Sequence, residues 1–351
     1  MRETTEVDCM PNDSGVSPDK LKKAHDANYM PSQEVEGAIA VKGYDFDKGF
    51  DLQRFLKAYD TTGMQATNLG RAIEIVKEMR RENAVIFLAY NSNMVSSGVR
   101  EVIAYLVKHK MVHVLVTTAG GVEEDIIKTI KPFIIGDFKA PGKELRAKGM
   151  NRIGNVFVPN DRYVAFERIM HPFLAKLLEE QKKTGHIHTA SEFIHKLGAE
   201  VKDENSIYYW ATKNNIPTFC PALTDGSIGD MMYFFKQTDK KNSDFKIDIA
   251  DDMVKLINIA IEAKKTGVIV LGGGFIKHHV VNANLYREGA DYAVYISTET
   301  EEGGSDSGAR PDEAVSWGKL KGKDSTVKVF ADATIAFPLI VAGAFAESGK
   351  R

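Results

Sequence analysis

The residues best suited to chemistry lie in one short run near the C-terminus, residues 303–319, which reads GGSDSGARPDEAVSWGK. Its reactive side chains are three carboxylates, an indole and a lysine: Asp306, Asp312, Glu313, Trp317 and Lys319. Carboxylates neutralise the ammonium groups of a small cationic ligand, and the face of an indole ring attracts a cation. A desolvated lysine can act as an amine nucleophile. The run therefore predicts a pocket for a small cation beside a reactive lysine.

The same run is expected to be mostly loop, because it contains Gly304, Ser307, Gly308 and Pro311. An alternative interpretation is a solvated acidic loop at the surface that binds nothing. Residues elsewhere in the chain have to decide between these two possibilities.

Two glycine-rich turns are suited to the phosphates of a nucleotide. Residues 117–121 read TTAGG and residues 272–274 read GGG, and each turn directly follows an apolar run. Phosphates bind the backbone N–H groups at helix N-termini, and glycine lets them approach closely. Neither turn matches the G-x-G-x-x-G or P-loop pattern, and glycine triplets also form ordinary tight turns. Together with Ser92, Ser96 and Asp332 near the ends of other strands, the two turns favour a nucleotide site.

Further carboxylates lie in two other turns. Glu123, Glu124 and Asp125 are expected in the first turn of a helix, where acidic side chains stabilise the helix dipole. Asp225 and Asp230 flank a second turn, and they either cap a helix or enlarge the acidic pocket. Both turns thus have a structural and a functional interpretation.

The adjacent pair His278 and His279 is a poor metal site, because neighbouring side chains on a helix point in different directions. We expect structural histidines here, or one acid–base group next to the glycine triplet. The other seven histidines show no recognisable pattern, and no metal site is predicted.

The elements that position these residues repeat the order of apolar run, polar or glycine-rich turn, and helix. The predicted strands cover residues 84–89, 112–116, 218–222, 268–271, 292–296 and 327–330. The predicted helices cover residues 50–59, 65–80, 96–110, 122–130, 164–182, 190–201 and 253–265, the last of these stopped by Gly267, and a final helix runs through residue 346. This pattern predicts an α/β fold, a doubly wound, mostly parallel open sheet of Rossmann-like type with helices on both faces.

Open α/β sheets bind ligands where the carboxyl ends of the strands meet. The predicted fold therefore brings one set of turn residues to a single edge: Ser92, Asn93, Thr118, Ala119, Gly120, Asp225, Gly272, Gly273, Gly274 and Asp332. A nucleotide site, acidic side chains, a histidine and a reactive lysine together suggest oxidation of an amine with covalent capture of an imine.

Composition excludes several classes of protein. The 351 residues are 43% apolar, and Lys+Arg 46 nearly balances Asp+Glu 48, so neither nucleic acid nor a membrane surface is an expected partner. No apolar run is long enough to cross a membrane, and the N-terminus lacks the apolar core of a signal peptide. With only Cys9 and Cys220, the chain is expected in the reducing cytoplasm.

The domain organisation is read from the density of apolar residues. Residues 1–40 are predicted to be a polar, partly flexible tail with a short helix over residues 17–27. Residues 41–351 are predicted to form a single catalytic domain.

Whole phrases of the sequence resemble deoxyhypusine synthase, in order and with few gaps from about residue 43 to the C-terminus. They are GYDFDKGF, TTGMQATNLGRA, VTTAGGVEED, GKELRAKGMNRIGN, PALTDGSIGDM, LGGGFIKHHVVNANL and SDSGARPDEAVSWGK. The resemblance implies an NAD-binding domain that oxidises and cleaves spermidine. It also implies transfer of the four-carbon aminobutyl group, through an imine on Lys319, to one lysine of the translation initiation factor that carries hypusine.

The resemblance also implies roles for individual residues, with Lys319 as the nucleophile and His278 as the acid–base group. The residues implied at NAD are Ser92, Asn93, Ser96, Thr118, Ala119, Gly120, Glu124, Asp225, Gly273, Thr298, Asp332 and Ala333. Those implied at spermidine are Glu123, Glu124, Asp230, His278, Gly304, Ser305, Asp306, Glu313 and Trp317. One departure is Gly303, where the family commonly has Asp, so a carboxylate contact at that point would be lost. The family further implies a homotetramer with active sites between paired subunits.

Three other functions remain open at the level of the sequence. Homospermidine synthase performs the same half-reaction but delivers the aminobutyl group to putrescine. A non-catalytic regulatory paralogue is disfavoured by the presence of Lys319, His278 and the glycine triplet. An NAD-binding deacylase of similar fold would leave the carboxylates and the lysine unexplained.

Overall fold

The computed structural model describes residues 15–322 and 324–346, which fall into two compact units divided between Ala40 and Val41. In the first unit, helix α1 (Pro18–Asn28) begins just after Ser17 and buries none of its side chains. Residues 1–14 of the predicted tail lie outside the described residues. The other helices and strands given below belong to the second unit.

The strands of the second unit form two sheets. In chain order they are β1 (Val85–Tyr90), β2 (Val114–Thr117), β3 (Ile134–Ile135), β4 (Met150–Ile153), β5 (Val156–Pro159), β6 (Thr218–Phe219), β7 (Thr266–Leu271), β8 (Tyr292–Ser297) and β9 (Thr326–Phe330). The main sheet is parallel throughout and has the order β6-β2-β1-β7-β8-β9. The small antiparallel sheet has the order β3-β5-β4.

Helices of the second unit pack around the main sheet. In chain order they are α2 (Leu52–Thr62), α3 (Met64–Arg81), α4 (Ser92–Ser96), α5 (Val99–Lys108), α6 (Ala119–Ile130), α7 (Gly142–Ala147), α8 (Asn160–Thr184), α9 (Ala190–Glu200), α10 (Ile207–Lys213), α11 (Ser227–Thr238), α12 (Ala250–Glu262), α13 (Phe275–Ala283), α14 (Pro311–Ser316) and α15 (Ala333–Ala344). No helix of the described segments is both long and apolar enough to cross a lipid bilayer.

The main sheet is buried on both faces, because alternate side chains of its strands enter different cores. In β1, Ile86, Leu88 and Tyr90 belong to one apolar cluster, while Phe87 and Ala89 belong to another. Helices α3, α6 and α15 contribute to the first cluster, and α12 and α13 contribute to the second. The predicted doubly wound α/β sheet is therefore confirmed.

Two predicted helix boundaries were wrong. The helix predicted over residues 96–110 begins later, as α5 at Val99, because Ser97 has extended backbone with ψ −178°; Ser96 is instead the last residue of α4. Gly267 does not stop α12, which ends at Glu262; it lies inside β7. A Cβ on Gly267 would come within 2.6 Å of the Met79 sulfur, so this glycine allows α3 to pack closely on the strand.

The small antiparallel sheet was not predicted from the sequence. Its strands are two to four residues long, which is too short for a period-two pattern to stand out. Gly154, with φ +58°, turns the chain between β4 and β5. Gly136 lies against the ring of Phe157, where a Cβ would come within 2.3 Å of the ring.

The centre of the main sheet is a topological switch point. Strand β1 pairs with β2 on one side and with β7 on the other, so the strand order reverses there. Crevices at the carboxyl ends of strands open at such points. The turns after β1, β2, β6, β7, β8 and β9 all end at this edge, which is the edge predicted to carry the site.

Candidate active site

Lys319 is positioned by the turn that ends α14. The backbone N–H of Lys319 donates to the carbonyl of Ala314 at 2.9 Å, and Gly318, with φ +72°, supplies the left-handed residue of this helix end. On its other side, the carbonyl of Lys319 accepts a hydrogen bond from Ala290 at 3.0 Å. Residues 311–316 are therefore helical, while residues 304–310 and 317–319 lie outside any helix, so most of the acidic run is loop, as predicted.

We expect replacement of Gly318 by Ala to lower the free energy of unfolding by about 1–2 kcal/mol, because a Cβ disfavours the left-handed conformation. The side chain itself has room, since the nearest atom to its Cβ would be Leu285 Cδ1 at 3.4 Å. Gly318→Asn is the matched control, because asparagine tolerates this conformation better. Urea unfolding of both variants measures the effect, and an equal loss in the two would show that the backbone conformation is not the cause.

Lys319 and His278 form a close pair. The Nζ atom of Lys319 lies 3.0 Å from Nε2 of His278, and Lys319 is only 9% exposed. The Trp317 ring centroid lies 5.5 Å from the same Nζ, although Trp317 itself is 67% exposed. His279 points elsewhere and is half-buried, and this burial lowers its pKa. An amine held against an imidazole is an arrangement that can move a proton on or off the amine.

Lys277, beside the histidines, organises the acidic loop and was not singled out from the sequence. It is buried at 3% exposure, and its ammonium donates to the backbone carbonyls of Asp306 and Ala309, the latter at 3.0 Å. The carboxylate of Asp306 lies 4.0 Å from this ammonium, and the Tyr295 ring centroid lies 4.7 Å from it. In the sequence, Lys277 appears only as a lysine among apolar helix residues, and this pattern does not distinguish a buried lysine from one at the surface.

The pKa of Lys277 reports the charges around it. Burial lowers this pKa, Asp306 and Glu313 raise it, and Lys319 lowers it again. Three of the charged residues of the acidic run, Asp306, Glu313 and Lys319, therefore lie close enough to Lys277 to shift its pKa. Asp306 Oδ2 is buried without a hydrogen-bond partner among the described residues.

A first cleft of about 330 Å³ opens where β7, β8 and β9 end. The acidic loop borders it, since a Cβ on Gly273 would come within 2.4 Å of the Ser307 Cα atom. Asp332 caps α15 by accepting the N–H of Thr334 at 2.8 Å. The predicted cofactor residues that line this cleft are Asn93, Gly273, Thr298, Asp332 and Ala333.

A second cleft of about 410 Å³ adjoins the first, and Asn91 and Asn93 line both. The turn after β2 forms one wall of this cleft. Only glycine fits at position 120 of this turn, because a Cβ there would come within 2.7 Å of the Ser92 Cβ. The predicted residues that line it are Ser92, Asn93, Thr118, Gly120, Glu123, Glu124 and Asp225.

The acidic trio in α6 is not in the first turn of that helix, because α6 begins at Ala119. The prediction that these carboxylates stabilise the dipole of their own helix was therefore wrong. Glu123 instead accepts the N–H of Ile228 at 2.7 Å, at the N-terminus of α11. Burial raises the pKa of Glu123, and nearby Asp230 adds to the rise.

Asp125, the third member of the trio, is a structural residue. It is fully buried and accepts hydrogen bonds from Arg100 Nε at 2.7 Å and Ser206 Oγ at 2.5 Å. It also accepts the N–H groups of Ile207 and Tyr208 at the start of α10. Asp125 thus joins α5, α6 and α10 and does not face either cleft.

Glu124 faces the second cleft and is 6% exposed. Burial raises the pKa of Glu124 to about 8, although the hydroxyl of Ser96 donates to its carboxylate and lowers the pKa; the charge of Glu123 raises it further. Near neutral pH this carboxyl group can therefore keep its proton and donate a hydrogen bond into the cleft.

This elevated pKa predicts that stability falls as pH rises. Between the ordinary glutamate pKa of 4.5 and the folded value of about 8, the unfolded chain loses the Glu124 proton while the folded chain keeps it. The free energy of unfolding should then decrease by up to about 1.4 kcal/mol per pH unit from this one group. Urea unfolding between pH 5 and 8 should show a shallower dependence in Glu124→Gln than in the unmodified chain. Glu313→Gln, at an exposed glutamate, should leave the slope unchanged, and equal slopes in all three proteins would contradict the prediction.

The predicted site residues fall into two groups. Glu123, Glu124 and Asp230 lie around α6 and α11, and Lys319, His278 and Trp317 lie around α13 and α14. No hydrogen bond or ion pair joins the two groups within residues 15–322 and 324–346. The single acidic pocket expected from the sequence therefore stays a prediction.

A few predicted residues are placed differently from the rest. Ser96 and Ala119 are buried and line neither cleft. Gly304 and Ser305 lie in the exposed loop before α14, and Asp230 is exposed in the first turn of α11.

Comparison with known proteins gives the family of this site. The family model described as deoxyhypusine synthase matches residues 54–344. The chain belongs to the deoxyhypusine synthase family. A relative named deoxyhypusine synthase from Nicotiana tabacum is 50% identical, covering 92% of this chain and 94% of that protein. Another, named probable deoxyhypusine synthase, from Methanocaldococcus jannaschii, is 53% identical over 88% of this chain and 97% of its own length.

A solved structure agrees with this membership. A crystal structure assigned to deoxyhypusine synthase from Entamoeba histolytica has a TM-score of 0.65 and 33% identity, covering 87% of this chain and 96% of that one. The resemblance read from the sequence is therefore confirmed, and the chain is a member of an enzyme family of transferases. The Lys319–His278 pair and both clefts lie inside the residues matched to deoxyhypusine synthase.

Proposed function

We propose that this member of the deoxyhypusine synthase family oxidises and cleaves spermidine with NAD. It transfers the 4-aminobutyl group to one lysine of the hypusine-containing translation initiation factor and releases 1,3-diaminopropane. The observation that carries the proposal is the Lys319–His278 pair, in which a nearly buried amine lies 3.0 Å from an imidazole nitrogen. Imine chemistry needs an amine that can be deprotonated in place.

The two adjoining clefts fit NAD. Helices α6 and α13 begin at this edge of the sheet with no side chain capping their N-termini, so backbone N–H groups are available for phosphate oxygens. Gly273 and Gly120 leave room for a close approach, since a Cβ at either would meet a neighbouring residue within 3 Å. When bound, NAD supplies the hydride acceptor for the amine and the hydride donor for the final reduction.

Individual residues are assigned to NAD by their place in the clefts. Ser96 and Ala119 are buried beneath the cleft surface and are not proposed to contact NAD directly. Ser96 donates a hydrogen bond to the carboxylate of Glu124. The residues proposed to contact NAD are Ser92, Asn93, Thr118, Gly120, Glu124, Asp225, Gly273, Thr298, Asp332 and Ala333.

In the first half-reaction, Lys319 is the nucleophile. Two-electron oxidation of spermidine beside its secondary nitrogen gives an imine, and the neutral amine of Lys319 adds to the imine carbon. The carbon–nitrogen bond to 1,3-diaminopropane then breaks, and the aminobutyl group stays on Lys319 as an imine. His278 accepts the proton lost by the attacking amine and returns a proton to the leaving amine.

In the second half-reaction, the lysine amine of the translation factor adds to this imine carbon and displaces Lys319. The two electrons removed from spermidine return to the new imine, which becomes the secondary amine of deoxyhypusine. Lys319 is thereby regenerated as a free amine, and no net oxidant is consumed.

The carboxylates are proposed to bind the ammonium groups of spermidine. Asp306 is suited to this role because its Oδ2 atom is buried with no hydrogen-bond partner among the described residues. Charge recognition of a polycation needs several carboxylates. The other residues assigned to spermidine are Glu123, Asp230, His278, Gly304, Ser305, Glu313 and Trp317, together with Glu124, which in its protonated form offers a hydrogen bond instead of a charge.

Assembly is proposed to complete the site. No hydrogen bond or ion pair within the described residues joins the carboxylates around α6 and α11 to the Lys319 group, which is compatible with a second copy contributing one of the two groups. This supports the homotetramer with shared active sites that the family resemblance implies. A cytoplasmic location also stays a prediction.

Labelled spermidine tests the proposed function. The full chain is incubated with NAD and spermidine labelled in its aminobutyl part, with either the translation factor or putrescine as acceptor. We expect label on the factor and release of 1,3-diaminopropane. Label found only on putrescine would support homospermidine synthase, and no transfer to either acceptor by the folded protein would support a regulatory paralogue.

A further inference from the structure

A second cluster of potential ligands lies away from Lys319, at the connection between α8 and α9. His186, His188 and Glu192 each turn one ligand atom toward the others, and these atoms lie within 4.8 Å of one another. Glu180, near the C-terminal end of α8, adds a carboxylate 3.2 Å from His188 Nε2. None of these residues lines either cleft of the active site.

The buried member of the cluster lacks a hydrogen bond. His188 is 6% exposed, and neither of its ring nitrogens makes an aligned hydrogen bond within the described residues. Its nearest carboxylate oxygens, from Glu180 and Glu192, lie at 3.2 and 3.6 Å. A buried polar group without a hydrogen-bond partner lowers the stability of the fold. An additional ligand on the His188 imidazole would remove this cost.

The carboxylate of Glu192 is held in a position where one of its oxygens can bind a cation. Its Oε1 atom is held by Lys255 at 2.9 Å, while its Oε2 atom faces His186 at 2.8 Å. The backbone N–H of Thr189 donates to the same Oε2 in the capping box of α9.

We propose that His186, His188 and Glu192 bind a Zn²⁺ ion that links the end of α8 to the start of α9. Two imidazole nitrogens with one carboxylate are a donor set for zinc, and hard cations such as Ca²⁺ and Mg²⁺ prefer oxygen ligands only. Ligand atoms around tetrahedral zinc lie about 3.3–3.5 Å apart, so the widest separation in the cluster has to shorten by at most about 1.5 Å. His186, whose side chain is 53% exposed, is free to make that movement.

The proposed ion has a structural role. The connection from Gly185 to Thr189 is short, and the ion would fix it to α9 through Glu192 while Glu180 supports His188 from α8. The site departs from the prediction that the chain has no metal site. The sequence does carry its pattern, H-x-H followed by Glu four residues later, but only the fold shows that His188 is buried without a partner.

Zinc binding to the full chain tests this inference. After chelator treatment and removal of the chelator, titration calorimetry with ZnCl₂ should show one site per chain, and zinc should raise the melting temperature. The His186→Ala variant, altered at an exposed side chain, should bind zinc at least about tenfold more weakly and lose the stabilisation. His195→Ala, at an exposed histidine of α9, is the matched control and should behave like the unmodified chain.

Cobalt substitution gives a second readout. Co²⁺ bound to the unmodified chain should show visible absorption bands of tetrahedral coordination, and these bands should be absent in His186→Ala. Absence of a one-to-one site in the unmodified chain would overturn the proposal. Equal zinc affinity of His186→Ala and His195→Ala would overturn it as well.

Discussion

Replacing Lys319 by Arg is expected to abolish the covalent adduct between the chain and the aminobutyl group of spermidine. Arginine stays charged at any working pH and cannot supply the free amine that imine formation requires. Loss of a nucleophile typically costs a factor on the order of 10³ or more. Incubation with NAD and labelled spermidine, reduction with borohydride and peptide mapping measure the adduct.

The matched control is Lys321→Arg. Lys321 lies two residues further along the chain, is paired with Asp291 at 2.8 Å, and should tolerate arginine because this ion pair survives. Its adduct should form at the normal rate and map to Lys319. Adduct formation in Lys319→Arg at a rate close to that of the control would remove Lys319 from the mechanism.

Replacing Asp125 by Ala is expected to have the largest effect on stability. The change leaves Arg100, which is 4% exposed, as a buried charge with its main partner gone, and it removes the acceptor of two N–H groups at the start of α10. Breaking a buried ion pair in this way costs about 3–5 kcal/mol. Chemical denaturation should show this loss in the free energy of unfolding, or the variant should fail to accumulate as folded protein.

Asp161→Ala is the control that distinguishes the loss of a buried ion pair from the loss of an exposed one. Asp161 also pairs with two basic residues, Lys131 at 2.7 Å and Arg162 at 2.6 Å, but its side chain is 49% exposed. Exposed ion pairs of this kind contribute about 0–1 kcal/mol each. Similar losses in the two variants would mean that the buried network around Asp125 is not a main source of stability.

The parts of the fold that could be predicted are those set by local sequence. Strands β1, β7 and β8 are apolar at nearly every position because both faces of the sheet are buried, so each stands out as a short apolar run. The turns after them contain the predicted glycines and polar residues, and the parallel pairing brings those turns to one edge. Lys319 and His278 could be placed in the site because the phrases around them resemble those of a known family.

The parts that could not be predicted depend on partners far away in the chain. Glu123 accepts a hydrogen bond from Ile228, 105 positions further on, so its sequence neighbours indicate the wrong helix. Lys277 holds the loop at Asp306, 29 positions away, through backbone carbonyls that carry no sequence signal. The burial of His188 likewise follows from how α8 and α9 pack, which the apolar pattern of either helix alone does not reveal.

The pairing of β1 with β7 limits when the chain can fold during synthesis. Val85 pairs with Thr266, so about 180 residues must be made before the edge of β1 meets its partner. At typical synthesis rates of about 5–20 residues per second, this edge of β1 stays unpaired for about 10–40 s while the rest of the chain is made. β2 can cover the opposite edge in the meantime, but the open edge is apolar and able to pair with other chains. The nascent chain is therefore expected to need protection from such pairing during this interval. The first cleft, whose lining extends to Ala333, can form only after most of the last third of the chain has emerged, whereas the lining of the second cleft ends at Asp225.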